Sequence, residues 1–172
     1  MKKILFVTQN LGRTGSEMVL YYLLKNLDPQ KYAIHVLCFT KGELYHSLPS
    51  HVQKSVIYKF SGKWQDRISR SLLKMIGKDP VKFQFIKLQK RFKADAWYIN
   101  TIVIPHVFDY AQYLDVKLIT HFHELLHAFT FIKKNHLQKI IDQSYFCIAC
   151  AEEVQEKIRE MGQTNVSIQP SF

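Results

Sequence analysis

The most informative stretch of the sequence is residues 3–27, which read KILFVTQNLGRTGSEMVLYYLLKNL. Residues 3–8 are a continuous apolar run that ends in polar residues, which is typical of a strand buried on both faces. A glycine-containing turn follows at residues 10–15, and residues 16–27 repeat valine and leucine at the 3.6-residue period of a helix. The stretch therefore predicts a strand, a turn and a helix, the opening unit of a parallel α/β sheet.

The rest of the sequence repeats this alternation. Further strands are predicted at residues 33–39, 56–60, 96–99, 116–120, 145–149 and 166–168. Helices are predicted at residues 62–77, 81–92, 105–113 and 152–161, and residues 124–143 are predicted to be mostly helical. Because the strands are apolar without alternation, the pattern indicates a Rossmann-like, doubly wound parallel sheet of about seven strands, with helices on both faces. A length of 172 residues suits one domain, residues 1–172.

Ligands of such sheets bind beyond the carboxyl ends of the strands, and the turn after the first strand is the best phosphate candidate. Gly12 and Gly15 would let the backbone approach a ligand closely, and the helix that begins near Gly15 offers free N–H groups and a positive dipole end. The third glycine of the dinucleotide fingerprint is missing, and so is the Walker lysine. A purely structural glycine turn stays open as the alternative.

A second cluster, HFHELLH at residues 121–127, follows a predicted strand. The segment from His123 to His127 matches the zinc signature H-E-x-x-H, with Glu124 as the base. The match needs a helix through all five residues, yet His123 lies only three residues beyond the strand, where a turn is expected. Three interpretations stay open: a zinc site, histidines hydrogen-bonded at a sheet edge, and an active-site imidazole placed over a substrate.

The net charge of +10 predicts anionic partners. Residues 59–93 hold eleven Lys or Arg and only two acids, and one predicted helix combines a basic side with an apolar side. The candidates for contact with an anionic membrane surface are Lys63, Trp64, Arg67, Arg70 and Lys74. The alternative is a solvated helix whose apolar face covers the sheet. No nucleic-acid motif is recognised, and no nucleic-acid partner is expected.

The cysteines and the first residues of the sequence predict the cellular compartment of the protein. The three cysteines form no disulfide framework, which favours a reducing cytoplasm. The first apolar run is too short for a signal peptide. We therefore expect a cytoplasmic protein that is peripheral on the inner face of the cell membrane.

Three segments, in this order, resemble motifs of one enzyme family. They are Thr14-Gly15-Ser16-Glu17 before an apolar helix, His123-Glu124-Leu125 after Leu118-Ile119-Thr120, and residues 145–153 followed by Gly162, Asn165 and residues 168–170. The chain resembles the N-terminal domain of group 1 glycosyltransferases, which are retaining enzymes built of two Rossmann-like domains (the GT-B fold). Two departures stand out: Thr14 replaces the first glycine of the turn, and Ala151 replaces a serine helix cap.

The resemblance implies an acceptor-binding domain whose partner, a C-terminal nucleotide-sugar domain, lies beyond residue 172. It implies that Gly15 and Thr14 approach the donor diphosphate and that His123 hydrogen-bonds to the transferred sugar. The substrates would be a nucleotide-sugar donor and a glycan or lipid-linked acceptor, with no cofactor and no metal. By position at the strand ends, the acceptor-side candidates are Lys41, Asn100, Thr101 and Glu124.

This domain alone is expected to be inactive, because transfer needs both walls of the cleft. The rival functions are a zinc-dependent hydrolase that uses residues 123–127 and a non-catalytic Rossmann-like module that binds an anion or a partner. A sugar-nucleotide epimerase, which also has two such domains, stays open as a relative in fold.

Overall fold

The computed structural model describes residues 1–57 and 63–170. Its centre is one sheet of seven parallel strands in the order β3-β2-β1-β4-β5-β6-β7. The strands are β1 (Lys2–Thr8), β2 (Tyr32–Cys38), β3 (Gln53–Val56), β4 (Ala96–Ile99), β5 (Lys117–Phe122), β6 (Phe146–Ala149) and β7 (Val166–Ile168). The predicted α/β class and strand number are confirmed.

Helices connect the strands. They are α1 (Gly15–Asn26), α2 (Trp64–Met75), α3 (Pro80–Phe92), α4 (His106–Ala111), α5 (Leu126–Phe129), α6 (Lys134–Gln143) and α7 (Glu152–Glu160), with a 3₁₀ turn at Glu43–Tyr45. Asp79 caps α3 by accepting from the N–H of Val81 at 2.8 Å, and Pro80 occupies its first turn.

Both faces of the sheet are covered. On one face, Leu20 and Leu24 of α1 pack with Phe6 of β1. On the other face, side chains of α3, α4, α6 and α7 pack with Leu5 and Val7 of the same strand. Successive residues of a strand point to opposite faces, so β1 contributes to both cores. This explains why its sequence is an unbroken apolar run.

The third strand is a correction to the sequence prediction. The structure places β3 at Gln53–Val56, whereas the predicted strand was residues 56–60, of which 58–60 lie outside the described residues. β3 pairs only with β2 and forms an edge of the sheet. Its side chains are half-buried or exposed, so the strand carries no apolar run that would identify it.

The segment 124–143 is mostly helical, as predicted, but it forms two helices instead of one. Helix α5 ends at Phe129, and α6 begins at Lys134. Because all strands are parallel, residues that follow their carboxyl ends meet at one rim of the sheet. We call this rim the carboxyl edge; at its centre are the residues after β1, β4 and β5.

Candidate functional site

Asn100 lies at the centre of the carboxyl edge, directly after β4, and is 1% exposed. Its Nδ2 donates to the carbonyl of Ser16 in the first turn of α1, at 3.3 Å. Its Oδ1 lies 3.1 Å from Nε2 of His123. One buried amide thus joins the beginning of α1 to the imidazole after β5, and it brings the Gly15 turn and His123 onto the same rim.

The orientation of Asn100 fixes the tautomer of His123. Since Oδ1 of Asn100 is an acceptor, Nε2 of His123 carries the hydrogen and donates it. Nδ1 of His123 is then an acceptor, and it is buried with no hydrogen-bond partner among the described residues. Burial lowers the pKa of His123 to about 4, so the ring is neutral near pH 7. His123 can therefore accept a hydrogen bond there but supplies no positive charge.

The ring of His121 packs against the ring of His123. The two rings stack with centroids 3.6 Å apart, and Nδ1 of His121 lies 2.6 Å from the hydroxyl of Tyr98. Burial, and then the neighbouring His123, lowers the pKa of His121 to about 3. The sequence grouped the histidines together and did not separate this buried support from the ring above it. The alternation of a strand, which places residues 121 and 123 on one face, was the available signal.

Glu124 completes the cluster. Its Oε1 accepts from the hydroxyl of Thr101 at 2.5 Å and from the N–H of Ile102 at 3.4 Å. Burial raises its pKa, although these hydrogen bonds act in the opposite direction. Its Oε2 has no partner among the described residues, like Nε2 of His121 and Nδ1 of His123. Each such buried atom costs about 1–3 kcal/mol, a cost that proteins accept mainly where a ligand or water binds.

The turn after β1 is held by the residues that follow β2. The N–H of Leu44 donates to the carbonyl of Leu11 at 2.8 Å, and the N–H of Thr40 donates to the carbonyl of Gln9 at 3.1 Å. Gly42 has φ +61°, and a Cβ there would lie 2.2 Å from the carbonyl carbon of Leu11. Gly42 is therefore required for the position of the turn. The sequence indicated only that Gly42 lies in a turn, because its backbone neighbour is 31 residues away.

The beginning of α1 is available to a ligand. Its N-cap, Thr14, makes no side-chain cap hydrogen bond. Gly12 and Gly15 do not adopt positive φ, so conformation is not the reason for glycine at either position. A side chain at Gly12 would meet Asn10 at 3.3 Å. The role of Gly12, Thr14 and Gly15 in phosphate binding stays a prediction.

The geometry of the zinc signature is not formed. Helix α5 begins at Leu126, after its N-cap Leu125, so His123 and Glu124 precede the helix that would have to carry them. His127 is exposed, whereas His123 is bonded to Asn100. Within residues 1–57 and 63–170, no group of three or more His, Cys, Asp or Glu is arranged to hold a metal ion.

The four acceptor-side candidates lie in two places. Asn100, Thr101 and Glu124 belong to the cluster around His123. Lys41 instead lies over the ring of Tyr45, with Nζ 5.7 Å from its centroid, and lines a separate cavity beside β2 and β3. Contact of any of the four with an acceptor stays a prediction.

Helix α2 buries none of its residues. Its apolar side is exposed: Trp64 is 67% exposed and Met75 82%, with Ile68 and Leu72 between them. The alternative in which this face covers the sheet is therefore wrong. The candidates Lys63, Arg67, Arg70 and Lys74 lie on the basic flank of the same helix. No helix in the described part of the chain is both long enough and apolar enough to cross a membrane.

Comparison with known proteins identifies solved structures that share this architecture. The sequence matches no protein-family model and no curated protein. Many solved structures are similar in fold, among them the following three. HepE of Anabaena with UDP and glucose has a TM-score of 0.71 and 18% identity, and the match covers 99% of this chain and 44% of HepE. MurG of Acinetobacter baumannii has a TM-score of 0.56 and 12% identity, with 90% of this chain and 42% of MurG covered. A UDP-N-acetylglucosamine 2-epimerase has a TM-score of 0.60 and 12% identity, with 98% of this chain and 48% of the epimerase covered.

The chain spans less than half the length of each of these three proteins. Identities of 12–18% show the fold alone, and the three proteins include both glycosyltransferases and an epimerase. The seven-stranded parallel sheet, its strand order and this coverage together assign the chain the fold of the N-terminal domain of GT-B proteins.

Proposed function

We propose that the chain is the acceptor-binding half of a glycosyltransferase that moves a sugar from a nucleotide-sugar donor to a glycan or lipid-linked acceptor. The observation that carries the proposal is the double hydrogen bond of Asn100, which holds the beginning of α1 and His123 on one rim. Support also comes from HepE, a structural neighbour bound to UDP and glucose.

In this proposal the donor diphosphate lies against residues 12–15. The N–H groups at the beginning of α1 and its positive dipole end suit an anion, and Thr14 leaves that end without a side-chain cap. The donor sugar then extends toward His123, because Asn100 keeps that ring next to the helix terminus.

His123 recognises the sugar as a neutral hydrogen-bonding group. Its unpaired Nδ1 is an acceptor, and sugar hydroxyls are donors. Glu124 offers a second unpaired acceptor, Oε2, on the next residue. Satisfying these buried atoms recovers free energy that the unliganded protein lacks, which favours a polyhydroxylated ligand over an apolar one. Retention of anomeric configuration follows only from the family resemblance and belongs to the same proposal.

The second element of the proposal is contact with the inner face of a membrane. Helix α2 exposes its apolar side beside a basic flank, and the whole chain has net charge +10. Helices of this kind lie in the interface of anionic bilayers. A lipid-linked acceptor would be presented at that surface, so the two elements support each other.

A transfer assay on the full-length protein that contains this chain tests the proposal. The His123→Ala variant is expected to lower kcat at least about tenfold, whereas the matched His127→Ala variant, which removes an exposed ring four residues away, keeps wild-type activity. Product analysis separates transfer from epimerisation. Equal loss in both variants, or no transfer from any nucleotide sugar, would contradict the proposal.

A further inference from the structure

A cavity of about 410 Å³ lies beside the β2–β3 edge of the sheet, beneath α2 and α3. It is distinct from the cluster around His123, because none of the residues of that cluster lines it. Its charged lining consists of Lys41, Lys54, Lys63, Lys87, Arg91 and a single acid, Asp66. The lining thus holds five cations and one carboxylate.

Four of these cations form no ion pair with the residues that the structure describes; they are Lys41, Lys54, Lys87 and Arg91. Lys54 donates to the carbonyl of Tyr45 at 2.9 Å, a neutral acceptor. A concave site lined by one sign of charge concentrates its field and attracts ions of the opposite sign.

Two of the cations lie near the same aromatic ring. Nζ of Lys54 and Nζ of Lys41 lie 5.3 Å and 5.7 Å from the centroid of the Tyr45 ring. An anion in the cavity would be attracted by both positive charges.

The floor of the cavity is polar and neutral. Nε2 of His35 lies 2.8 Å from the hydroxyl of Ser55. Burial lowers the pKa of His35, reinforced by the positive charge of Arg91 and opposed by the hydrogen bond that Nδ1 of His35 donates to Oε1 of Gln53. Arg91 lines the same cavity as His35. Arginine binds phosphate through two parallel N–H donors, and lysine binds it as a point charge.

We propose that this cavity binds a phosphate or diphosphate group. The site does not depend on the glycosyltransferase function, because it uses different residues from the rim around His123. The group has two sources: a soluble phosphate ester and the headgroup of a phosphate-bearing lipid. Since Lys63 and Asp66 of the cavity begin the helix whose apolar side is exposed, a lipid would place its chains along α2.

The first arm of the test is calorimetric titration of the 172-residue chain with inorganic pyrophosphate. Arg91→Gln and Lys87→Gln are each expected to weaken binding about tenfold, since a charge-assisted hydrogen bond contributes about that factor. The matched control is Lys25→Gln, which removes one exposed positive charge from α1, outside the cavity, and is expected to change binding less than about twofold. Amide signals of Lys54 and Ser55 are expected to shift in the wild type, which separates this site from residues 12–15.

The second arm uses vesicles of phosphatidylcholine that contain either phosphatidic acid, a phosphomonoester, or phosphatidylglycerol at equal total charge. Stronger binding to phosphatidic acid than to phosphatidylglycerol, if the difference is lost in Arg91→Gln, supports the proposal with a lipid headgroup as the source of the phosphate. Pyrophosphate binding that is weakened in Arg91→Gln supports the proposal with a soluble phosphate ester as the source of the group. If Arg91→Gln and Lys87→Gln behave like Lys25→Gln in both arms, the proposal is overturned, while the transfer assay for His123 stands or fails separately.

Discussion

The cluster around His123 and helix α2 place their side chains in opposite ways. At the carboxyl edge, polar side chains are buried and contact residues of other elements, as Asn100 contacts both Ser16 and His123. In α2, apolar side chains are exposed and no residue is buried. Burying polar atoms and exposing apolar ones both cost free energy in isolation. The difference indicates two kinds of missing partner: a polar ligand at the edge and an apolar surface at α2.

The largest effect is expected from Gly42→Ala, which acts on the carboxyl edge. The added Cβ would overlap the backbone of Leu11, and the residue already has positive φ, so the free energy of unfolding should fall by about 3 kcal/mol. Gly77→Ala, just after α2, is the matched control. It has φ +68° but nothing within 4 Å, and only the backbone strain of about 1 kcal/mol applies. Urea unfolding measures both, and equal losses would refute the close packing of Gly42.

The next effect concerns the link between α1 and His123. Asn100→Ala removes both hydrogen bonds and leaves Nε2 of His123 and the carbonyl of Ser16 without their partner. The free energy of unfolding should therefore fall by about 2 kcal/mol. Asn100→Asp places a carboxylate beside the ring, and an adjacent negative charge raises a histidine pKa by about 1–3 units. NMR titration of His123, whose pKa is about 4 in the wild type, measures this change. An unchanged pKa in Asn100→Asp would mean that the two side chains do not touch.

Stability should fall as the pH is lowered. The folded-state pKa values of His121 and His123, about 3 and about 4, lie below the unfolded value of 6.5. Below pH 6.5 the unfolded chain binds protons that the folded chain excludes, so each ring contributes a loss of about 1.4 kcal/mol per pH unit until its folded pKa is reached. The raised pKa of Glu124 acts in the opposite direction.

Removing His123 isolates its share of this loss. Between pH 7 and pH 5, the His123→Gln variant should lose about 2 kcal/mol less than the wild type. Urea unfolding at both pH values provides the comparison. A wild-type loss that His123→Gln leaves unchanged would show that the ring is not buried as the structure places it.

The smallest effect on stability is expected in α2. Ile68→Ser and Leu72→Ser should each change the free energy of unfolding by less than about 0.5 kcal/mol, because both side chains are exposed. The same variants should weaken binding to vesicles containing phosphatidylglycerol about tenfold each, since a buried aliphatic side chain contributes about 1.5–3 kcal/mol. For comparison, Leu20→Ala removes a buried side chain from the core and should lower the free energy of unfolding by about 3 kcal/mol. Vesicle binding that both serine variants retain would remove the membrane role of α2.

The two regions also differ in how well the sequence predicted them. The central strands were predicted because strands buried on both faces are apolar at every position, as in β1. The edge strand β3 was misplaced because it needs no such run. The amphipathic pattern of α2 was visible, but whether its apolar side met the sheet depended on packing that the sequence does not contain.

At the site, proximity to a strand end identified His123, Asn100 and Thr101. The sequence did not reveal which of them touch, because these contacts join residues 23 or more positions apart. Strand alternation offered a signal for the pairing of His121 with His123. The contacts of Tyr98 with His121 and of Gly42 with Leu11 depend on the order of the strands and could be recognised only in three dimensions.

The most direct test of the central claim is an NMR titration of the chain with UDP-glucose. If residues 12–17 and His123 form one wall of a donor site, their amide and imidazole signals should shift together along a single saturable curve, while the ring of His127 does not respond. Shifts in only one of the two groups, or in neither, would contradict the claim that this rim receives a nucleotide sugar.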